Sequence, residues 1–234
     1  MSFRNLQAIP FAVVFPLFVI CQTPREHFNP DSLSENFFNG LKKEYGYKKQ
    51  YPPQLERQVL IALSYYPELR KTPITFQNRP NHSPGFTRVT WGGLFESPRK
   101  RHFLVVISDS TEEMLMPLIF KNLSFNTQIG LIGHEVAHVS DFLTMTSLKI
   151  IRHAIRSVSA KYIDKFEGNT DAICIAHGLG YQLLEWSSYV RKKMNIVNWD
   201  GPDHVHRSKK RERYMNPDVI LKSIHENRLY RDTW

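Results

Sequence analysis

Cysteine is scarce in this chain of 234 residues, with only Cys21 and Cys174. Two thiols so far apart exclude a disulfide-built scaffold and any cysteine-rich zinc finger. Acidic residues are in deficit: 22 Asp and Glu against 31 Lys and Arg leave a net charge of +9 and a pI near 9.5. Such an excess suits nucleic acid, anionic lipid or an acidic polymer, or serves solubility alone. The 11 glycines and 14 prolines follow no period, which excludes collagen-like and proline-rich linker classes, and no internal repeat marks a solenoid. What is present is ordinary globular material, 41% hydrophobic and 23% charged. That is enough for one well-packed domain with a small appendage, and too apolar for a disordered chain.

The N-terminus carries one positive charge, Arg4, followed by the 14-residue uncharged run AIPFAVVFPLFVIC from Ala8 to Cys21. With Pro10 and Pro16 inside it, this run is too short and too interrupted to span a bilayer. Its size and polarity fit the apolar region of a secretory signal over residues 1–21, cleaved after Cys21, so export to a periplasmic or extracellular compartment is expected. Cleavage would leave a net charge of +8 and one thiol. A buried N-terminal segment of a cytoplasmic protein is the alternative.

Residues 22–51 read as an N-terminal extension with a short helix and a loop. Pro52-Pro53 then open a helical pattern at Leu55, Val59, Ala62 and Tyr66, with proline where no amide donor is needed. Three strand-like pieces follow, Ile74–Phe76, Thr87–Trp91 and His102–Ser108, the last a β-branched and aromatic run. A helix from Ser110, with Glu113 placed for a capping box, is expected to stop near Pro117. Residues 124–192 read as interrupted helix, and 196–234 as a basic tail with a short helix after Pro217. Helix, small mixed or antiparallel sheet, then helices is an α+β order, with the main domain over 52–195.

From Phe125 the chain runs FNTQIGLIGHEVAHVSDFL. Phe125, Ile129, Ile132, Val136, Val139 and Leu143 recur at helical spacing and form one core-facing stripe. His134 and His138 lie two positions either side of Val136, about 200° around the helix. Their imidazoles therefore share the opposite face, one turn apart, where they can meet one metal ion, with Glu135 beside them. This is the H-E-x-x-H arrangement. Gly130 and Gly133 in the same helix suggest the close approach of another segment.

A catalytic zinc needs a third protein ligand and an open position. Glu167 in KFEGNTDAICIAHG is the downstream candidate, and Asp171 follows on the same helical face, placed to accept the second N–H of a ligating histidine. The intervening pattern at Leu148, Ile151, Ile155, Val158 and Tyr162 supplies a helical return that would bring Glu167 over the imidazoles.

HEVAH at 134–138 followed by E-x-x-x-D at 167–171 resembles the gluzincin metallopeptidases, and residues 55–186 are similar to small exported bacterial members of that clan. The resemblance implies a zincin-like minimal catalytic domain, a small sheet followed by an active-site helix and a third-ligand helix. It implies Zn2+ held by His134, His138 and Glu167, Asp171 behind them, Glu135 as general base, and a peptide or protein substrate. It further implies that the strand before the active-site helix, His102–Ser108, is the sheet edge that pairs with extended substrate. A zinc ion there would lower the pKa of a bound water to about 7 and polarise the scissile carbonyl. Such enzymes add a Tyr or His donor for the oxyanion; His177, Tyr181, His204, His206 and Tyr214 are candidates, none singled out by a motif.

Cys174 reads as a small buried hydrophobe, and Asp141 shares the histidine face. The basic stretches SPRKRH at 97–102 and RSKKRER at 207–213 lack interleaved aromatics and any nucleic-acid motif, so they read as a solvated loop and tail, with no nucleic-acid partner expected. Two other readings compete with peptide hydrolysis. One is a zinc-stabilised binding module without turnover. The other is a basic surface- or nucleic-acid-binding protein in which the motif is accidental.

Overall fold

Helices cover most of the described residues and a small sheet supports one side of them. The computed structural model describes residues 22–196 and 213–233. The expected signal segment 1–21, His204, His206 and most of the second basic stretch lie outside the described residues. After a 3₁₀ turn at Pro30–Ser32, α1 (Glu35–Tyr45) is capped by Ser34, whose hydroxyl accepts the Phe37 N–H. β1 (Lys49–Gln50), α2 (Glu56–Ser64), β2 (Ile74–Arg79), β3 (Gly85–Val89) and β4 (Phe103–Ser108) follow. The helical part is α3 (Phe125–Thr144), α4 (Ser147–Arg156), α5 (Ala160–Ala176), α6 (Gly180–Lys193) and α7 (Pro217–Glu226). The stretch from Ser110 forms a 3₁₀ turn at Glu113–Leu118 rather than an α-helix, because Pro117 within it offers no amide to an α-helical ladder.

The fold is α+β with a small mixed sheet of four strands among the described residues, ordered β1-β2-β4-β3. β2 pairs parallel to β1 and β4, and β3 pairs antiparallel to β4, with Thr87 opposite Val105. This corrects one expectation. The run Phe103–Ser108 is an interior strand, buried at every position, and β3 and β1 are the edges. A six-residue run without a polar face is best satisfied in the sheet centre, where both faces are covered.

The apolar core is continuous across the chain. Phe28, Phe38, Leu41 and Tyr45, from the segment read as an extension, belong to the same core as Leu60, Tyr66, Phe103 and Ile132. So do Ile220, Ile224 and Tyr230 from the segment read as a tail.

Arg101, in the stretch read as a solvated loop, is fully buried. Its guanidinium donates to the carbonyls of Phe142 at 3.1 Å and Met145 at 2.8 Å, and further to Gly93 O and Ser147 Oγ. It thus caps the C-terminal end of α3, where exposed carbonyls and the helix dipole favour a cation. Arg101→Met removes every one of these donors and leaves buried carbonyls unpaired. The expected cost is about 2–4 kcal/mol of unfolding free energy, read as a lower urea midpoint at unchanged slope.

Candidate metal centre

α3 starts at the Ser124 cap, whose hydroxyl accepts the Thr127 N–H at 3.2 Å, and runs unbroken through HEVAH. The expected apolar stripe faces the core, but the helix is buried around most of its circumference, because α5 and α6 cover the histidine side. The two glycines allow this. A Cβ at Gly130 would lie 2.1 Å from the Gln182 carbonyl oxygen, and one at Gly133 2.7 Å from Leu179. α6 therefore approaches to backbone contact.

The chain returns through α4 so that α5 lays Glu167 against the imidazoles. Glu167 Oε2 stands 3.1 Å from His134 Nε2 and 3.3 Å from His138 Nε2. One donor atom from each residue lies within 4.8 Å of the other two. Both rings are held from behind. His134 Nδ1 meets Asp171 Oδ1 at 2.8 Å. His138 Nδ1 meets the Thr170 hydroxyl at 3.1 Å, and that hydroxyl in turn donates to the Phe166 carbonyl. With its proton committed to Phe166, Thr170 can only accept from His138, so the second-side partners place both ring hydrogens on Nδ1. Two Nε2 lone pairs and a carboxylate oxygen then face one another with no hydrogen between them. Such a group takes up a cation, either a proton or a metal ion. The titration behaviour agrees. Burial opposes charge on His134, but hydrogen bonds to Asp171 and Glu167 outweigh it and hold its pKa well above the usual 6.5. Burial likewise opposes ionisation of Glu167, yet the two imidazoles hold its pKa far below the ordinary carboxylate value.

The donor set suits a first-row divalent ion. Atoms at the corners of a tetrahedron with bonds of about 2.0–2.1 Å stand about 3.3 Å apart, close to the two Glu167 separations, while the imidazole donors lie within 4.8 Å of each other. Two imidazoles and one carboxylate suit zinc better than calcium or magnesium, which demand oxygen ligands. The phenyl ring of Phe166 stacks on His138 at 5.1 Å and 17°, fixing the ring plane.

No protein-family model, curated protein or solved structure matches the chain. What the cluster can do must therefore come from its surroundings. Glu135 is buried beside the histidines, and Thr87 on β3 donates to its Oε2 at 2.7 Å. Burial pushes the Glu135 carboxyl up from 4.5 against the pull of both imidazoles. Gly85 makes the approach of β3 possible, since a Cβ there would sit 2.3 Å from Glu135 Oε1. A cleft of about 360 Å³ opens over His134 and Glu135, lined further by Pro84, Gly85, Trp186, Tyr214 and Met215.

Tyr214 is the oxyanion candidate that the fold brings to the cluster, its ring 5.7 Å from that of His134. Tyr214 is 37% exposed, and partial desolvation together with the carboxylates of Glu167, Glu135 and Asp171 raises the pKa of its phenol above 10. Two contacts pin this segment over α5: Met215 N–H donates to Asp171 Oδ2 at 2.7 Å, and Arg213 Nε to buried Asp164 at 3.1 Å. Asp171 thus holds His134 with one oxygen and the Tyr214 segment with the other. Of the remaining candidates, Asp141 is not the partner of His138 Nδ1, a role taken by Thr170. Cys174 is fully buried, and burial pushes its thiol up to about 12, so it packs as a small apolar side chain. Tyr181 stacks edge-on against Tyr230 at 5.4 Å. Thr87, Thr170 and Gly85 are additions the sequence reading missed. Of these only Thr170 carries a local signal, three residues after Glu167 on its face.

His177 is stacked on Tyr66 at 4.3 Å and bonds Glu68, which also accepts from Ser140 at 2.6 Å. Burial opposes charge on His177, but Glu68 raises its pKa above 6.5; hydrogen bonds from His177 and Ser140 overcome burial and lower that of Glu68 below 4.5. The His177 contribution is complete below pH 6.5 and is lost as pH rises through its raised pKa. The Glu68 contribution is complete above pH 4.5 and is lost on acidification. Both act together between pH 4.5 and 6.5. Urea unfolding of Glu68→Gln should therefore show a larger deficit at pH 6 than at pH 9, by about 0.5–1 kcal/mol for a partly screened pair.

Proposed function

We propose that the chain is a zinc-dependent peptide hydrolase with a zincin-like catalytic arrangement. The observation that carries this reading is the convergence of His134 Nε2, His138 Nε2 and Glu167 Oε2, at 3.1 and 3.3 Å, beside the buried carboxylate of Glu135. His134, His138 and Glu167 would hold the zinc, which would supply a Lewis acid and lower the pKa of a water to about 7. Glu135, with Oε2 held by Thr87, takes a proton from the attacking water on Oε1 and passes it to the leaving amine. The Tyr214 phenol donates to the oxygen on which negative charge develops. Asp171 and Thr170 hold the imidazoles in the ligating tautomer.

The substrate is an extended peptide. β3 is an edge strand and Gly85 at its start lines the cleft, so its outer edge offers backbone groups to a strand added alongside. The test is cleavage of a mixed peptide library by the full chain. Cleavage is expected to stop with 1,10-phenanthroline and to return with added zinc. A protein that holds one zinc per chain yet cuts no peptide would make the cluster a binding or structural site instead.

A further inference from the structure

α4 presents the wrong face to solvent for an ordinary surface helix. Its docking side is Ile150, which is buried, and His153, whose ring packs on Phe142 and Phe166 at 5.3 and 4.2 Å. The far side of such a helix is normally polar. Here Leu148, Ile151 and Ile155 are 57%, 48% and 66% exposed, within about 60° of arc and on the side away from the docking residues. The helical pattern read at Leu148, Ile151 and Ile155 is thus a solvent stripe, and Val158, 86% exposed, extends it past the helix end.

A second group of apolar side chains adjoins it. The 3₁₀ turn Gly92–Phe95 packs against α4, and Trp91 and Phe95 are 76% and 92% exposed. Arg101 ties the two elements together, through Gly93 O on one side and Ser147 Oγ on the other. Contiguous exposed apolar groups on this scale mark an interaction surface.

The charge around them is of one sign along α4. Residues 142–163 contain no Asp or Glu but include Lys149, Arg152, Arg156 and Lys161. Lys149, Arg152 and Arg156 are exposed on the flank of the apolar stripe, and Arg99 and Lys100 are exposed beyond Phe95, where they outnumber the exposed Glu96. The Arg88 guanidinium lies 5.9 Å over the Trp91 ring. A second copy packed on this face would set these cations against their equivalents. An anionic surface is complementary to them.

We propose that this face docks the protein peripherally on an anionic lipid bilayer. α4 lies in the plane of the interface with Leu148, Ile151 and Ile155 at the headgroup–acyl boundary and its basic flank among the headgroups. Trp91 and Phe95 enter beside it, an indole ring being suited to a half-wet boundary. No helix among the described residues is long and apolar enough to cross a membrane, so the contact made by this face is one of surface adsorption.

Vesicle co-sedimentation of the full chain tests this. Binding is expected to vesicles in which about a third of the lipid is phosphatidylglycerol, to weaken with salt, and to be much weaker for pure phosphatidylcholine. Ile151→Glu with Ile155→Glu should lower partitioning by about tenfold or more without changing the thermal midpoint, because both side chains are exposed. Ile151→Ser with Ile155→Ser serves the same purpose if the charged pair unfolds α4. A blue shift in tryptophan emission on binding should shrink in Trp91→Phe. Equal vesicle binding by wild type and the α4 variants overturns the proposal. So does a wild-type dimer in light scattering that the same variants convert to monomer.

Discussion

Glu135→Gln should retain its metal and lose peptide cleavage, with kcat falling by about 10³-fold or more. The substitution is nearly isosteric, and its amide oxygen can still accept from the Thr87 hydroxyl that holds Oε2 at 2.7 Å. Gly85 leaves the same space beside it. What changes is basicity, since an amide cannot take the proton of the attacking water. Metal analysis of the purified variant separates this from loss of the site, because Glu135 is not among the converging donors. Tyr214→Phe provides the contrast within the same cleft. It removes one donor to the developing oxyanion, so kcat should fall by about 10²-fold with KM little changed. A fully active Glu135→Gln variant would refute the proposed chemistry.

The parts of the site legible in the sequence are those written in helical spacing. HEVAH places two imidazoles on one face whatever the tertiary fold, and the interval from Glu167 to Asp171 does the same for two carboxylates. Thr87 could not be read in this way. It lies 48 residues before Glu135 and meets it only because β3 turns antiparallel onto β4. Strand order is likewise a long-range property, so a buried apolar run was legible as a strand but not as an interior one. Tyr214 was one of five candidates, none singled out by a motif, until the Met215 and Arg213 contacts brought its segment over α5. Periodicity also names a stripe without naming its surroundings. The pattern on α4 is genuine, but Ile150 and His153 occupy the core side, and Leu148, Ile151 and Ile155 are left outside. Arg101 shows the converse, a charge that reads as solvated and is instead consumed in capping α3.

Glu167→Ala should lose metal affinity by more than the roughly 10- to 100-fold expected for a residue behind the ligands, and Asp171→Asn should lose no more than that. The difference follows from what each carboxylate touches. Glu167 supplies one of three converging donor atoms, and without it two imidazoles remain, too few for a closed first-row site. Asp171 is not among the converging donors. It accepts from His134 Nδ1 at 2.8 Å with one oxygen and from Met215 N–H at 2.7 Å with the other. Asparagine has one acceptor oxygen, so whichever way the amide turns, its –NH₂ opposes a donor. If it opposes His134, the ligating tautomer is no longer enforced and affinity falls. If it opposes Met215, the segment carrying Tyr214 is released and kcat falls while the metal stays. A zinc titration alongside kcat distinguishes the two. The wild type should also gain thermal stability with zinc, about 4 kcal/mol at a thousandfold excess over Kd, and Glu167→Ala should gain far less at the same concentration. Equal zinc affinity in Glu167→Ala and wild type would exclude Glu167 as a ligand and leave two histidines without the third donor that hydrolysis requires.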